Sequence, residues 1–205
     1  MVITGIKPKK KFMNSIYIDN EYFIDIDREV ISIKKIKVGM EICEEELNDL
    51  IKLSNEKRAK EKALYLMEYR DHSKKELIDK IKKTSSEEAA KKAVDRLEEI
   101  GLINDDNFAR KYANELIFRK KFAYSRAEYE LIKKGIDKEL AQEILDEIIP
   151  DPQEQIISLL ESKYSNLLNS DKGLKRTVSS LQRLGYCWSD IKSSLNKCEY
   201  NYEEY

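Results

Sequence analysis

Leu131-Ile132-Lys133-Lys134-Gly135-Ile136 and Leu181-Gln182-Arg183-Leu184-Gly185-Tyr186 carry one pattern twice, with Leu131 fifty residues before Leu181 and Gly135 fifty before Gly185. A less perfect copy lies earlier, through Ile81-Lys82-Lys83-Thr84, and the helix after it is one residue out of step. A helical unit of this length cannot bury its apolar face alone. Stacked copies share an extended core and offer an extended surface to a partner. The repeat therefore predicts a binding protein.

Outward from the repeat, most of the chain beyond Gly39 has helical periodicity. Glu44-Glu45-Glu46 favours a helix start, because carboxylates complement the positive end of the helix dipole. Ala59, Ala63, Leu66 and Met67 fall on one face of a helix expected over 57–70. Ser73, Ser85 and Ser125 each stand three residues before a glutamate (Glu76, Glu88, Glu128), the capping-box spacing, and predict three helix starts. Ala90, Ala93, Val94 and Leu97 form an inward stripe that ends at Gly101, and Ala141, Ile144, Leu145 and Ile148 form another that ends at Pro150 and Pro152. Ile191 and Leu195 repeat it more loosely. Helices are expected at 57–70, 73–83 and 86–100, then 104–121, 125–134 and 137–148, then 152–165, 173–184 and 188–197. Ile103 to Asp105 and Pro150-Asp151-Pro152 are expected to be flexible joints.

The first forty residues differ. Ile16-Tyr17-Ile18 and Tyr22-Phe23-Ile24-Asp25-Ile26-Asp27 alternate with the period of half-buried strands, with a tight turn at Asp19-Asn20-Glu21. Val2 to Ile6 and parts of Val30 to Ile36 are expected to join them, and so small a β element must pack on the helices or on a partner. The fold class is mainly α: three tandem three-helix repeats in an elongated, curved array, preceded by a small N-terminal β-hairpin or meander. The expected divisions are 1–42 (β element), 43–56 (connecting helix), 57–101, 102–150 and 151–198 (repeats 1 to 3) and 199–205 (tail).

Net charge is −1, which favours neither nucleic acid nor membrane. Distribution says more than the sum. Lys and Arg outnumber Asp and Glu ten to five over 57–85, eight to three over 110–134 and seven to two over 162–197, whereas 137–161 carries one against eight. A zoned surface of this kind suits one oriented partner, although charges also simply solvate exposed helix faces.

Enzyme readings fail on the residues. One histidine, His72, and three scattered cysteines, Cys43, Cys187 and Cys198, supply no metal cluster or disulfide framework, and the six glycines form no phosphate loop. His72 is read as a solvated turn residue and the thiols as buried or idle. No cofactor, metal or catalytic residue is expected. No stretch is long and apolar enough for a bilayer and the N-terminus lacks a secretory apolar core, so a cytoplasmic protein, monomeric when free, is expected.

Tyr69-Arg70-Asp71-His72-Ser73-Lys74-Lys75-Glu76-Leu77 and Arg96-Leu97-Glu98-Glu99-Ile100-Gly101-Leu102-Ile103-Asn104-Asp105-Asp106-Asn107-Phe108-Ala109-Arg110, followed by Leu131-x-x-x-Gly135-Ile136, resemble the RecX family of recombination regulators. The resemblance covers nearly the whole chain, to Leu184-Gly185-Tyr186 and Trp188. It departs at Thr84, where the family has a turn glycine and where a residue is missing, so the first turn is expected to close differently. The resemblance implies a non-catalytic modulator that binds the helical groove of the RecA filament on DNA. Such a protein restrains ATPase, strand exchange and co-protease activity, and so limits recombination and the SOS response. Some members also bind single- or double-stranded DNA, and a sequence-tolerant DNA-binding protein with helix-turn-helix-like repeats is the alternative.

Charge weighs against groove reading by the third helix of a repeat. In the second repeat that helix holds Asp137, Glu139, Glu143, Asp146 and Glu147 against Lys138, a face that phosphates repel. Basic residues collect on the first two helices instead, giving as partner- or DNA-binding candidates Arg70, Lys74, Lys75, Arg110, Lys111, Arg119, Lys120, Lys121, Arg126, Lys175, Arg176 and Arg183. Phe108, Tyr112, Phe118 and Phe122 are read mostly as packing residues, and Trp188 either as an exposed hot spot or, more often for a lone Trp at such a place, as a residue that closes the core.

Overall fold

Glu44 to Met67 form one uninterrupted helix of 24 residues. The computed structural model describes residues 1–200, so 201–205 of the expected tail lie outside the described residues. The chain divides into two units, Met1–Asn104 and the residues from Asp105 onward.

The first unit opens with an antiparallel meander, β1 (Ile3–Pro8), β2 (Met13–Ile18) and β3 (Glu21–Asp27), in that spatial order. Asp19 and Asn20 both have positive φ, 49° and 70°, and Ile18 pairs with Glu21. That is the two-residue turn whose twist matches its strands. Ile3, Ile16, Ile18 and Ile26 put one sheet face into a core with Val30, Ile31, Ile42, Leu47 and Leu50. Val30 to Ile33 are not a strand, as the alternation suggested, but the body of a short helix, α1 (Arg28–Ile33). The Asp27 carboxylate accepts from Glu29 N at 2.9 Å and so starts a helix where β3 ends.

The 24-residue helix is α2, about 36 Å long. A separate connecting helix over 43–56 is not present, because no Gly or Pro interrupts the segment and its start is well capped. Glu46 N lies 3.5 Å from Cys43 Sγ, and Cys43 N donates to Glu46 Oε2 at 3.0 Å, a capping box built on a thiol. Leu47 and Leu50 near one end pack on the sheet core. Ala59 and Ala63 near the other pack with Leu77 and Ile81 of α3 (Lys74–Ile81) and Ala90, Val94 and Leu97 of α4 (Glu87–Glu99). Between the two cores, buried Ser54 accepts from Asp27 N at 2.9 Å, and Lys57 Nζ lies 2.7 Å from Asp27 Oδ1 and also bonds Glu29. Burial opposes charge on Lys57, but its bonds to Asp27 and Glu29 outweigh that and hold its pKa far above the usual lysine range.

Ser73 caps α3, accepting from Glu76 N at 3.2 Å. The next cap is Ser86, which accepts from Ala89 N at 3.3 Å, and not Ser85, whose buried hydroxyl has no partner among the described residues. The turn at Thr84 closes without a left-handed residue: Thr84 N and Ser85 N both donate to Ile81 O. The other two copies of the pattern turn through Gly135 and Gly185 at φ +89° and +98°.

The second unit holds α5 (Asp105–Asn114), a π-helical turn (Glu115–Arg119), α6 (Tyr124–Lys133), α7 (Lys138–Ile148), α8 (Pro152–Ser162), a 3-10 turn (Ser165–Leu167), α9 (Asp171–Arg183) and α10 (Trp188–Lys197). The single helix expected over 104–121 is thus α5 followed by a widened turn, in which Lys120 N reaches Glu115 O and Phe122 N reaches Leu116 O, both at 3.0 Å. Side chains from farther along the chain meet the carbonyls there. Gln155 Nε2 donates to Ile117 O at 3.0 Å, and the Tyr186 hydroxyl sits 2.6 Å from Gln155 Oε1 and 3.0 Å from Lys121 O.

Ser125 does not cap α6. It lies inside the helix and donates to Gly185 O at 3.2 Å, while Ala123 N at the helix start donates to Leu184 O at 2.9 Å. The second copy of the opening motif is therefore seated on the first turn of α6. Pro150-Asp151-Pro152 is a capped helix start, with Pro152 at the first position of α8 and Asp151 accepting from Gln153 N and Glu154 N at 2.7 and 3.1 Å. Leu131, Ile144, Leu145 and Phe108 anchor one core of this unit, and Ile156, Leu160, Leu181, Tyr186 and Ile191 another, against which Trp188 packs.

Candidate partner-binding surface

On the first unit, Arg70, Lys74 and Lys75 stand where α2 gives way to α3. The Arg70 guanidinium grips Glu76 at 2.6 and 3.0 Å. Lys74 Nζ lies 2.6 Å from Glu98 Oε2 and 3.5 Å from Asp95 on α4, and the bond to Glu98 raises its pKa. Lys75 is exposed on α3.

Beside them, His72 is only 6 % exposed, not the solvated turn residue that its neighbours suggested. Its Nδ1 donates to Arg70 O at 2.8 Å, so Nε2 is the acceptor that meets Lys80 Nζ at 2.9 Å. Burial first, then the charges of Arg70 and Lys80, push its pKa down against the Arg70 carbonyl bond and Glu76. Native His72 is neutral where the unfolded chain, near pKa 6.5, already takes a proton. Stability should therefore fall as pH drops below about 6.5, above the range in which carboxylates titrate. The midpoint of urea unfolding, measured from pH 7 to pH 5.5, should decline in this chain and stay level in His72→Asn.

On the second unit, Arg110 of α5 is bound on both sides, 3.1 Å from Asp106 and 2.7 Å from Glu147 of α7. Lys111 is exposed on the same helix. Arg119 ends the π turn, Lys120 follows it, and both share Glu115, at 4.0 and 3.4 Å. The Arg119 side chain is 80 % exposed. Lys121, at φ +58°, turns the chain toward α6. Arg126 lies over the rings of Phe122 and Tyr129, 5.6 and 5.4 Å from their centroids, and pairs with Glu130 at 2.7 Å.

Of the aromatics, Phe108 is buried and stacks on Tyr112 with centroids 5.6 Å apart, whereas Phe118 is exposed. The exposed face of α7 is acidic, through Glu139, Glu143, Asp146 and Glu147. Cys43 and Cys187 are exposed rather than buried.

Lys175, Arg176 and Arg183 line a groove beside α9. A fourth cation there, Lys172, is absent from the sequence-derived candidates; its place one helical turn before Lys175 and Arg176 was the signal for it. None of these four forms an ion pair among the described residues, in contrast to Arg70, Lys74 and Arg110.

Residues 59–97 match the profile described as RecX, first three-helix domain. Over its full length the chain is 30% identical to a regulatory protein RecX from Clostridioides difficile, covering 98% of that relative. A regulatory protein RecX from Caldanaerobacter subterraneus is 30% identical over 96% of this chain and 99% of its own. In fold, the chain is similar to a crystal structure of regulatory protein RecX, with TM-score 0.59 at 20% identity over 94% of this chain and 98% of that one. It is similar as well to RecX from Lactobacillus salivarius, with TM-score 0.57 at 21% identity over 71% and 97%. The chain belongs to the RecX family of regulatory proteins.

Proposed function

We propose that this protein binds the RecA filament on DNA and restrains its ATPase, strand exchange and co-protease activity, limiting recombination and the SOS response. Full-length similarity to regulatory RecX proteins carries the reading. The placement of charge supports it. Exposed cations stand on the helices that precede each acidic or mixed third helix, a zoned surface suited to one oriented, acidic or phosphate-bearing partner. A ligand of this kind shifts the recombinase between states only by its differential affinity for them.

The direct test is RecA ATPase on single-stranded DNA with rising amounts of this protein. Inhibition at or below stoichiometric amounts is expected, and no effect at stoichiometric excess would discard the reading. Arg119, Lys120 and Lys121 are proposed as contacts. Reversing all three to Glu should raise the concentration needed for half-inhibition at least tenfold. Thermal stability should change by no more than about 1 kcal/mol, since the Glu115 pairs are surface pairs. Unchanged inhibition by that variant would remove these residues from the contact.

A further inference from the structure

We propose that the tip of the hairpin between β1 and β2 is an anchor for a protein partner, with the Phe12 ring entering an apolar socket rimmed by carboxylates. That this partner is the recombinase of the filament rests on the function proposed above.

Phe12 serves the fold poorly on two counts. It is 76 % exposed, the highest value for a large apolar side chain among the described residues. Its φ is +59°, and that of Lys11 before it is +60°. A side chain with a Cβ crowds the backbone in this left-handed region, and a bulky one most of all. The turn between β2 and β3 meets the same requirement with Asp19 and Asn20, residue types that tolerate it. Phe12 is the one aromatic residue with positive φ among the described residues. Glycine or asparagine would suit this turn better and expose less apolar surface. The free protein gains neither core nor turn from the ring, as expected of a side chain that serves an external contact.

The tip holds the ring in place. Lys9 N donates to Met13 O and Arg28 N donates to Phe12 O, each at 2.8 Å, which ties the loop to β2 and to the start of α1. Lys9 Nζ lies 2.5 Å from Asp25 Oδ2 of β3, whose other oxygen accepts from Ser15 Oγ at 2.7 Å. A ring with few rotatable bonds on a fixed backbone loses little freedom on binding, which is the character of a hot-spot anchor.

Charge defines the rim of the socket. Lys10 and Lys11 precede the ring, Arg28 holds its carbonyl, and all three residues are exposed. An acidic rim complements this collar and orients the tip while the ring fills the apolar centre. A DNA duplex is anionic too, but a ring wedged between its bases must unstack a step, a cost offset elsewhere by a long wrapped interface. One ring and three cations on a hairpin tip provide no such interface. A socket preformed in a folded protein needs no opening.

The test uses the full chain with RecA filaments on single-stranded DNA and reads both co-sedimentation and ATPase. Phe12→Asn should weaken filament binding and raise the concentration for half-inhibition by at least about tenfold. The midpoint of its urea unfolding should stay level or rise, because asparagine accepts the left-handed turn. Phe12→Tyr keeps the ring and should behave as the unsubstituted chain. Lys10→Gln combined with Lys11→Gln should weaken binding and flatten its dependence on KCl. Unchanged binding and inhibition by Phe12→Asn would overturn the proposal and leave the RecA reading standing. A urea midpoint that falls together with inhibition would overturn it by making Phe12 a folding residue. An equal loss of binding to the bare oligonucleotide would do so by assigning the tip to DNA. If the unsubstituted chain neither binds nor inhibits, the RecA reading fails and this anchor fails with it.

Discussion

Gly185→Ala is expected to destabilise the second unit by about 3 kcal/mol, and Gly101→Ala by only about 1 kcal/mol, although both glycines end helices in the left-handed region. Gly101 has φ +74° and nothing within 4 Å of the position a Cβ would take. Its replacement meets the backbone penalty alone. Gly185 has φ +98°, and a Cβ there would stand 2.6 Å from Arg126 Cβ and 3.2 Å from Arg126 N. Those atoms belong to the first turn of α6 and cannot rotate aside. Relief requires the turn to lift, which strains the bonds from Ala123 N to Leu184 O and from Ser125 Oγ to Gly185 O. Urea unfolding of the two variants is the measurement. Similar losses would mean that the contact between this turn and α6 contributes nothing beyond the glycine's conformation.

The repeated Leu-x-x-x-Gly pattern was legible because a left-handed helix end is a local requirement, written into one residue. The same holds for the Asp19-Asn20 turn and for the helical class of the chain. Where a feature depends on distant partners, the residues alone did not reveal it. Ser125 and Glu128 have capping-box spacing, but α6 is started by Leu184 O, some sixty residues on. Ser85 lost the cap of α4 to its neighbour Ser86, a choice decided by how the preceding turn closes on Ile81 O. The apolar pattern runs from Phe108 through Leu116 and Ile117 with no mark of the π turn.

The candidate surface divides in the same way. Its cations could be listed from composition, but their partners could not. Lys74 meets Glu98 and Arg110 meets Glu147 across separations of 24 and 37 residues. Those contacts separate Lys74 and Arg110 from the four cations beside α9, which form no ion pair among the described residues.

The π turn leads to the second large effect: Gln155→Leu should cost about 2 to 3 kcal/mol, although leucine fills similar space and is at home in a core. Gln155 is 6 % exposed and Tyr186 4 %, so neither group can turn to water. Leucine leaves Ile117 O without its donor and Tyr186 with only Lys121 O to meet. Tyr186→Phe should cost about 1 to 2 kcal/mol, because it removes the one phenolic proton that Gln155 Oε1 and Lys121 O share. The double variant should lose less than the two losses added, by about 1 kcal/mol, since the oxygen stranded by one change is removed by the other. Strict additivity would show that Gln155 and Tyr186 act separately. Sub-additivity would make them one network that satisfies the carbonyls of the widened turn, and would explain why a wide, otherwise unfavourable turn persists midway between α5 and α6.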